Sequence, residues 1–182
     1  MQKNSMKIAS LLLFILFLFG CSGPKISQYA QEKPALDLSE YFSGTVDAYG
    51  IFTNRSGEVV KRFTVLIKAD WKLVNGKKVG TLDESFEYSD GTKQKRVWTL
   101  TEVSPGKFIG KADDVIGEAN GDSAGNALNW AYTLALPVDG TIYHVQFDDW
   151  MYLVTPKVMI NKAQMSKFGI NLGEVTLSFY KR

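Results

Sequence analysis

The sequence predicts an all-β fold, an antiparallel up-and-down β-barrel of about eight to ten strands. Three observations carry that expectation. Apolar and polar side chains alternate with period two almost to the end of the chain. Short turn signals rich in Gly, Asn, Asp and Pro separate the alternating segments. No long segment repeats its apolar residues at helical spacing.

The first strand carries Phe42, Gly44, Val46, Ala48, Gly50 and Phe52 on one face, and "NRSG" from Asn54 turns the chain. In the second, Val59, Phe63, Val65, Ile67, Ala69 and Trp71 alternate with polar residues. The Asn75-Gly76 pair then supplies a hairpin, because both residues accept positive φ. Leu82, Phe86 and Tyr88 mark the third strand, Trp98 and Leu100 the fourth, and Phe108, Gly110, Ala112 and Ile116 the fifth. "GDSAG" from Gly121 reads as a turn. Leu128, Trp130, Tyr132, Leu134 and Leu136 mark the sixth strand, and "YHVQFDDWMYL" from Tyr143 the seventh. Met159 to Met165 reads as a weak strand or a short helix, and Val175, Leu177 and Phe179 close the series. Consecutive hairpins bury one face per strand. Closure into a barrel of the lipocalin or calycin kind also removes the sheet edges, which favours it over a sandwich. Such an interior holds one small ligand. Gly44, Ala48, Gly50, Gly110 and Ala112 lie on apolar faces, serving either curvature or internal room.

Charged residues fall on those apolar faces. In the seventh strand the odd positions Val145, Phe147, Met151 and Leu153 are apolar, so Asp149 points inward and Asp148 outward. The same alternation places Glu84 between Leu82 and Phe86, Asp114 between Ala112 and Ile116, and Arg96 beside Trp98 and Leu100. Buried charges must be paired, hydrogen-bonded or neutralised, and three acids outnumber one arginine. The cluster is an internal polar network, a set of polar anchors in a ligand pocket, or an acid–base pair. A three-residue loop through Asp90 and Gly91 is expected to set Phe86 opposite Arg96 and Glu84 diagonal to it.

The chain begins with a different signal. Lys3 and Lys7 precede an apolar run from Ile8 to Phe19 that ends at Gly20-Cys21. The run is about a dozen residues, short for a bilayer span, and has the layout of a secretory signal. "LFGC" resembles the bacterial lipobox, in which Cys21 is lipidated and becomes the first mature residue. Ser22 follows it in place of aspartate, which by resemblance to bacterial sorting rules favours the outer membrane. The expected organisation is therefore a signal peptide over 1–20, a lipidated N-terminus and flexible tether over 21–38, and one barrel over 39–182. With residues 1–20 removed, 19 basic residues balance 19 acidic ones. A formally neutral chain offers no basic field to nucleic acid.

Other chemistry finds no support. "GDSAG" resembles the nucleophile loop of trypsin-like proteases, but His144 follows it and the chain is short for that fold. One histidine and one cysteine cannot build a typical zinc site, and no phosphate-binding glycine loop is present. No cofactor, metal or catalytic residue is expected.

Several phrases together resemble a family of bacterial lipoproteins, domain of unknown function 3833. They are "YFSG" at Tyr41, "ESFEYSDG" at Glu84, "RVWTL" at Arg96, "GKADDVIGEANGDSAGNALNWAY" at Gly110, "DDWMYL" at Asp148 and "NKAQMSKFGINLGEVTL" at Asn161. The resemblance covers nearly all of the mature chain. It implies an envelope lipoprotein and carries no activity or catalytic residue with it. An association of the family's genes with lipid-modifying enzymes turns the ligand expectation toward lipids. The resulting expectation is an outer-membrane lipoprotein facing the periplasm. It binds or chaperones an apolar, lipid-like ligand with Glu84, Arg96, Asp114 and Asp149 as polar anchors. The alternatives are an envelope structural or assembly protein with a filled core, and a small cofactor-free isomerase or hydrolase using the inward carboxylates.

Overall fold

The computed structural model describes residues 23–138 and 140–182. Cys21 and the expected signal segment lie outside the described residues. Ten antiparallel strands close into a barrel in which each pairs with its neighbours in sequence and β1 pairs with β10. They are β1 (Gly44–Asn54), β2 (Val59–Val74), β3 (Lys77–Tyr88), β4 (Lys93–Ser104) and β5 (Lys107–Lys111). β6 (Ala119–Ala124), β7 (Ala127–Val138), β8 (Thr141–Thr155), β9 (Val158–Lys167) and β10 (Ile170–Lys181) complete it. Closure pairs β1 with β10, so neither terminal strand leaves an open edge.

The inward faces follow the period-two pattern. Val46 and Ala48 of β1, Val65 and Ile67 of β2, and Val145 and Phe147 of β8 are buried. Met159, Asn161, Ala163 and Met165 are buried in alternation along β9, so this segment is a strand and not a helix. Two further expectations need correction. The fifth strand does not run on to Ile116, because β5 ends at Lys111. "GDSAG" is not merely a turn, since Gly121 to Ala124 lie in β6 and the chain turns at Gly125. Small residues belong in that strand for a physical reason. A Cβ on Gly121 would collide with the benzo ring of Trp130, and so would one on Gly110. Gly110 and Gly121 leave a flat bed for the indole and Gly50 makes room for Phe63 and Leu177, whereas Gly44 has open space and a positive φ and serves the backbone.

β5 and β6 are short, and the loop between them fills the gap in the wall. Ile116 N–H donates to Thr133 O at 2.9 Å and Ala135 N–H to Asp114 O at 2.9 Å. Asp114 thus enters the site from a loop and not from a strand face as expected.

One end of the barrel is plugged. Asp37 caps the short helix α1 (Leu38–Tyr41) through the N–H groups of Ser39 (2.8 Å) and Glu40 (3.1 Å). Leu38, Tyr41 and Phe42 are buried. Trp71 Nε1–H donates to Phe42 O at 2.9 Å, and Lys181 Nζ donates to the carbonyls of Glu40, Tyr41 and Ser43. The segment before the plug, expected as a flexible tether, lies on the barrel from Lys25 onward. Ile26–Tyr29 forms a 3₁₀ turn, and Leu36 N–H donates to Gly125 O at 2.7 Å. The reason is aromatic: Tyr29 packs against Trp150 and Tyr152 on the outer face of β8, with ring centroids 5.9 and 5.2 Å away.

Candidate functional site

The barrel holds a cavity of about 1070 Å³ that opens to solvent beside Lys93 and Val138, just above the usual range for small-molecule sites. Its floor includes Leu38 and Phe42 of the plug. Its far end reaches Tyr88, Lys93 and Val138, beside the β3–β4 and β7–β8 turns. Phe52, Phe63, Val175 and Leu177 make one wall apolar. The opposite wall carries a polar band built from β3, β4, the β5–β6 loop, β7 and β8.

Arg96 is the centre of that band. Its Nε donates to both carboxylate oxygens of Asp114 at 3.0 Å, and its Nη2 to Oδ2 at 2.7 Å. Such a two-nitrogen pairing is the strong geometry for guanidinium and carboxylate. Glu84 sits directly opposite Arg96 across the strand pair, with Oε2 3.9 Å from Nη1. The expected diagonal placement is therefore corrected. The hairpin does have a three-residue loop, but the loop is Ser89 to Gly91, closed by Tyr88 N–H donating to Thr92 O. It begins one residue earlier than expected, which moves the pairing by two positions and keeps both side chains on the inner face. Arg96 also lies over the rings of Phe86 and Trp98, 5.5 and 6.0 Å from their centroids.

Asp149 is buried at 6 % exposure, and Asp148 faces outward, where its carboxylate accepts from Asn129 Nδ2 at 2.6 Å. Asp149 does not bond Arg96. Its Oδ2 accepts from the Tyr132 hydroxyl at 3.1 Å, and its Oδ1 has no partner. Tyr132 is held in turn by Phe147, stacked at 5.0 Å, and by Trp98, edge-on at 5.5 Å.

The electrostatics follow from this arrangement. Burial opposes the charge on Arg96, but the Asp114 hydrogen bonds and the nearby Glu84 outweigh it and keep the guanidinium protonated. Burial pushes Glu84 up to about 7, against the pull of Arg96 and with help from Asp114. Burial likewise pushes Asp149 up to about 7, against the Tyr132 hydrogen bond and with help from Asp148. Burial, followed by the Asp149 charge, raises the Tyr132 phenol well above its ordinary value. The band thus contains one balanced pair and two surplus acids whose carboxyls burial raises toward neutrality.

All four expected anchors, Glu84, Arg96, Asp114 and Asp149, line this one cavity. Tyr132 and Asn161 also line it and were not singled out from sequence. Both sit at in-register positions of apolar strand faces, which is the signal that locates them. His144 is exposed, and Asp122 of "GDSAG" pairs with Lys107, so neither joins the site.

A family model described as "Protein of unknown function (DUF3833)" matches residues 15–181. Among curated proteins, N-(5'-phosphoribosyl)anthranilate isomerase of Clostridium acetobutylicum is 26 % identical over 126 residues. That alignment covers 64 % of this chain, and the chain spans only 57 % of the relative's length. The solved structure of the S-type phycobiliprotein lyase CPES from Guillardia theta superposes over 88 % of this chain and 98 % of its own, with a TM-score of 0.54 at 8 % identity. That is a likeness of fold. A de novo designed fluorescence-activating β-barrel aligns over 81 % of this chain and 99 % of its own, with a TM-score of 0.43 at 12 % identity.

Proposed function

The chain belongs to the DUF3833 family, and from that premise we propose that it is an envelope lipoprotein, anchored through Cys21 to the outer membrane and facing the periplasm, that carries an apolar, lipid-like ligand in its barrel. The observation that carries the ligand part is the cavity of about 1070 Å³, floored by the plug and walled by aromatic and aliphatic side chains. An apolar interior of that size left to water forgoes the packing contacts that a filled core supplies, which favours a carrier over a purely structural module. The polar band gives the ligand a fixed end within an otherwise apolar space.

The test is native mass spectrometry of protein purified from its host, with the extracted lipids identified. The expected result is a bound small molecule that leaves on denaturation. Protein that arrives empty and also fails to take up the neutral dye N-phenyl-1-naphthylamine would overturn the reading.

A second reading, cofactor-free proton transfer, draws support from Glu84 and Asp149, two acids at about 7 facing one cavity. The isomerase named above lends it nothing further, because this chain spans too little of that protein. The two readings part on the fate of the isolated ligand. Fresh protein in deuterated water leaves a carried ligand unlabelled. It would exchange a carbon-bound proton of a substrate, and Asp149→Asn would abolish that exchange.

A further inference from the structure

Two buried polar atoms inside the barrel have no protein partner: Asp149 Oδ1 and Asn161 Nδ2. Their residues are 6 % and 3 % exposed, and both line the cavity. Asp149 pairs with Ala163 across β8 and β9, and Asn161 lies two residues away on the same face of β9. Diagonal neighbours of this kind have Cα atoms about 7–8 Å apart, and the other two corners of the patch are the small Ala163 and Met151. An unpartnered buried polar group costs about 1–3 kcal/mol, and native interiors hold few of them. Here a donor and an acceptor share one corner of one cavity.

We propose that Asp149 and Asn161 form the polar end of the ligand site and that they select a neutral, hydroxyl-bearing long-chain amphiphile over a fatty-acid anion. The proposal rests on the carrier reading above. One hydroxyl accepts from the Asn161 amide while donating to Asp149, at ordinary hydrogen-bond lengths of about 2.8 Å. The match depends on the Asn161 amide nitrogen facing the site, because a hydroxyl has one proton and cannot donate to two acceptors. A carboxylate accepts only, so it leaves Asp149 unpaired and adds negative charge beside Asp149 and Glu84.

Beside Asp149 and Asn161 the carboxylate finds no free cation among the described residues, because the lining cations are either paired inside or lie at the exposed mouth. Arg96 is held by Asp114 and Glu84, Lys61 by Asp90 at 2.9 Å, and Lys93 lies 3.8 Å from Glu87. An ether accepts without donating and also leaves Asp149 unpaired. A protonated amine donates to Asp149 and offsets its charge but gives the Asn161 amide nitrogen nothing to bond, so it sets charge pairing against the paired hydrogen bonds.

The experiment loads delipidated full-length protein with N-phenyl-1-naphthylamine at pH 8 and displaces the dye with four ten-carbon probes. These are decan-1-ol, decanoate, 1-methoxydecane and decylamine. The expected result is half-displacement by decan-1-ol at a concentration at least tenfold below those of decanoate and 1-methoxydecane and below that of decylamine. The ratio of ether to alcohol should fall within twofold in Asp149→Leu, which removes the acceptor, whereas Asn161→Val should weaken both probes and leave the ratio unchanged. Equal displacement by alcohol and ether in the wild-type protein overturns the proposal, with water then completing the two atoms. Tighter binding of decanoate or of decylamine overturns it as well. Failure of the wild-type protein to take up the dye at all defeats the carrier reading itself, which separates the two failures.

Discussion

Glu84 and Arg96 face each other directly across β3 and β4 with their charges 3.9 Å apart, yet the arginine gives its short hydrogen bonds to Asp114. The glutamate is held beside a cation that is already neutralised. That unequal sharing is what lets burial dominate its titration.

Arg96→Met should therefore be the most damaging change in the band. It strands Asp114 and Glu84 without a cation, and breaking a buried pair by removing one partner costs roughly 3–5 kcal/mol. Arg96→Met with Asp114→Asn should recover part of that loss, because the charge left behind is gone. Urea melts at pH 7.5 measure both. A loss under about 1 kcal/mol in the single variant would show that water, not Arg96, stabilises Asp114.

Stability should fall as pH rises between about 4 and 7. Glu84 and Asp149 ordinarily titrate at 4.5 and 3.8, and in the fold at about 7. Within that window the folded chain holds protons that the unfolded chain has released, so raising the pH favours unfolding. At about 1.4 kcal/mol per pKa unit, the effect is on the order of a few kcal/mol for each acid. Asp37, held down at about 2 despite its burial by bonds from Ser39, Lys78 and Glu40, acts below this window. Asp149→Asn should flatten the slope and stabilise the protein at pH 8. Asp148→Asn, on the outer face, should change stability by no more than about 0.5 kcal/mol. Urea midpoints across pH 5 to 8 check the sign, and a wild-type midpoint that rises with pH contradicts it.

The legible parts of the sequence were those governed by period two. Asp149 inward and Asp148 outward follow from alternation alone, because β8 has no bulge at the double aspartate. The inward faces of Glu84 and Arg96 follow likewise. Pairing partners were not legible, because they depend on where a loop starts. Ser89 and not Asp90 opens the β3–β4 loop, and that single residue turns a diagonal contact into a direct one. The Asp114–Arg96 bond was hidden because Asp114 reaches inward from a loop. The partnership of Gly121 with Trp130 was hidden because a glycine that makes room for a ring looks, in sequence, like a glycine that makes a turn.

Asp37→Ala should loosen the plug. The change removes the cap of α1 and the bond from Lys78 Nζ at 3.0 Å. Loss of a cap costs about 0.5–2 kcal/mol. Since Leu38 and Phe42 floor the cavity, the release rate of a bound neutral dye should rise more than its uptake rate. Stopped-flow fluorescence separates the two, and an unchanged release rate would mean that ligands pass only at the far end.

Cys21→Ser should move the protein from the membrane fraction to the soluble periplasm and abolish metabolic labelling with a fatty-acid probe. One attached lipid group supplies the expected membrane affinity, and no other anchor is invoked. Persistence in the membrane fraction after a high-salt wash would shift the search to the barrel surface.

Gly121→Ala should cost about 1–3 kcal/mol, the usual range for overfilling a packed site. The added methyl would meet the benzo ring of Trp130, which is also held edge-on by Trp98 at 5.8 Å. With the strand backbone fixed by β5 and β7, the indole has to swing toward the cavity. Dye affinity should therefore fall along with stability, and the tryptophan emission should shift. Gly110→Ala meets the same ring, so the double variant should cost less than the sum of the two singles. Trp130→Phe supplies the decisive background, because it shortens the ring that fills both beds. There Gly121→Ala should be nearly neutral, and an undiminished cost in that background would mean that the glycine serves the strand and not the indole.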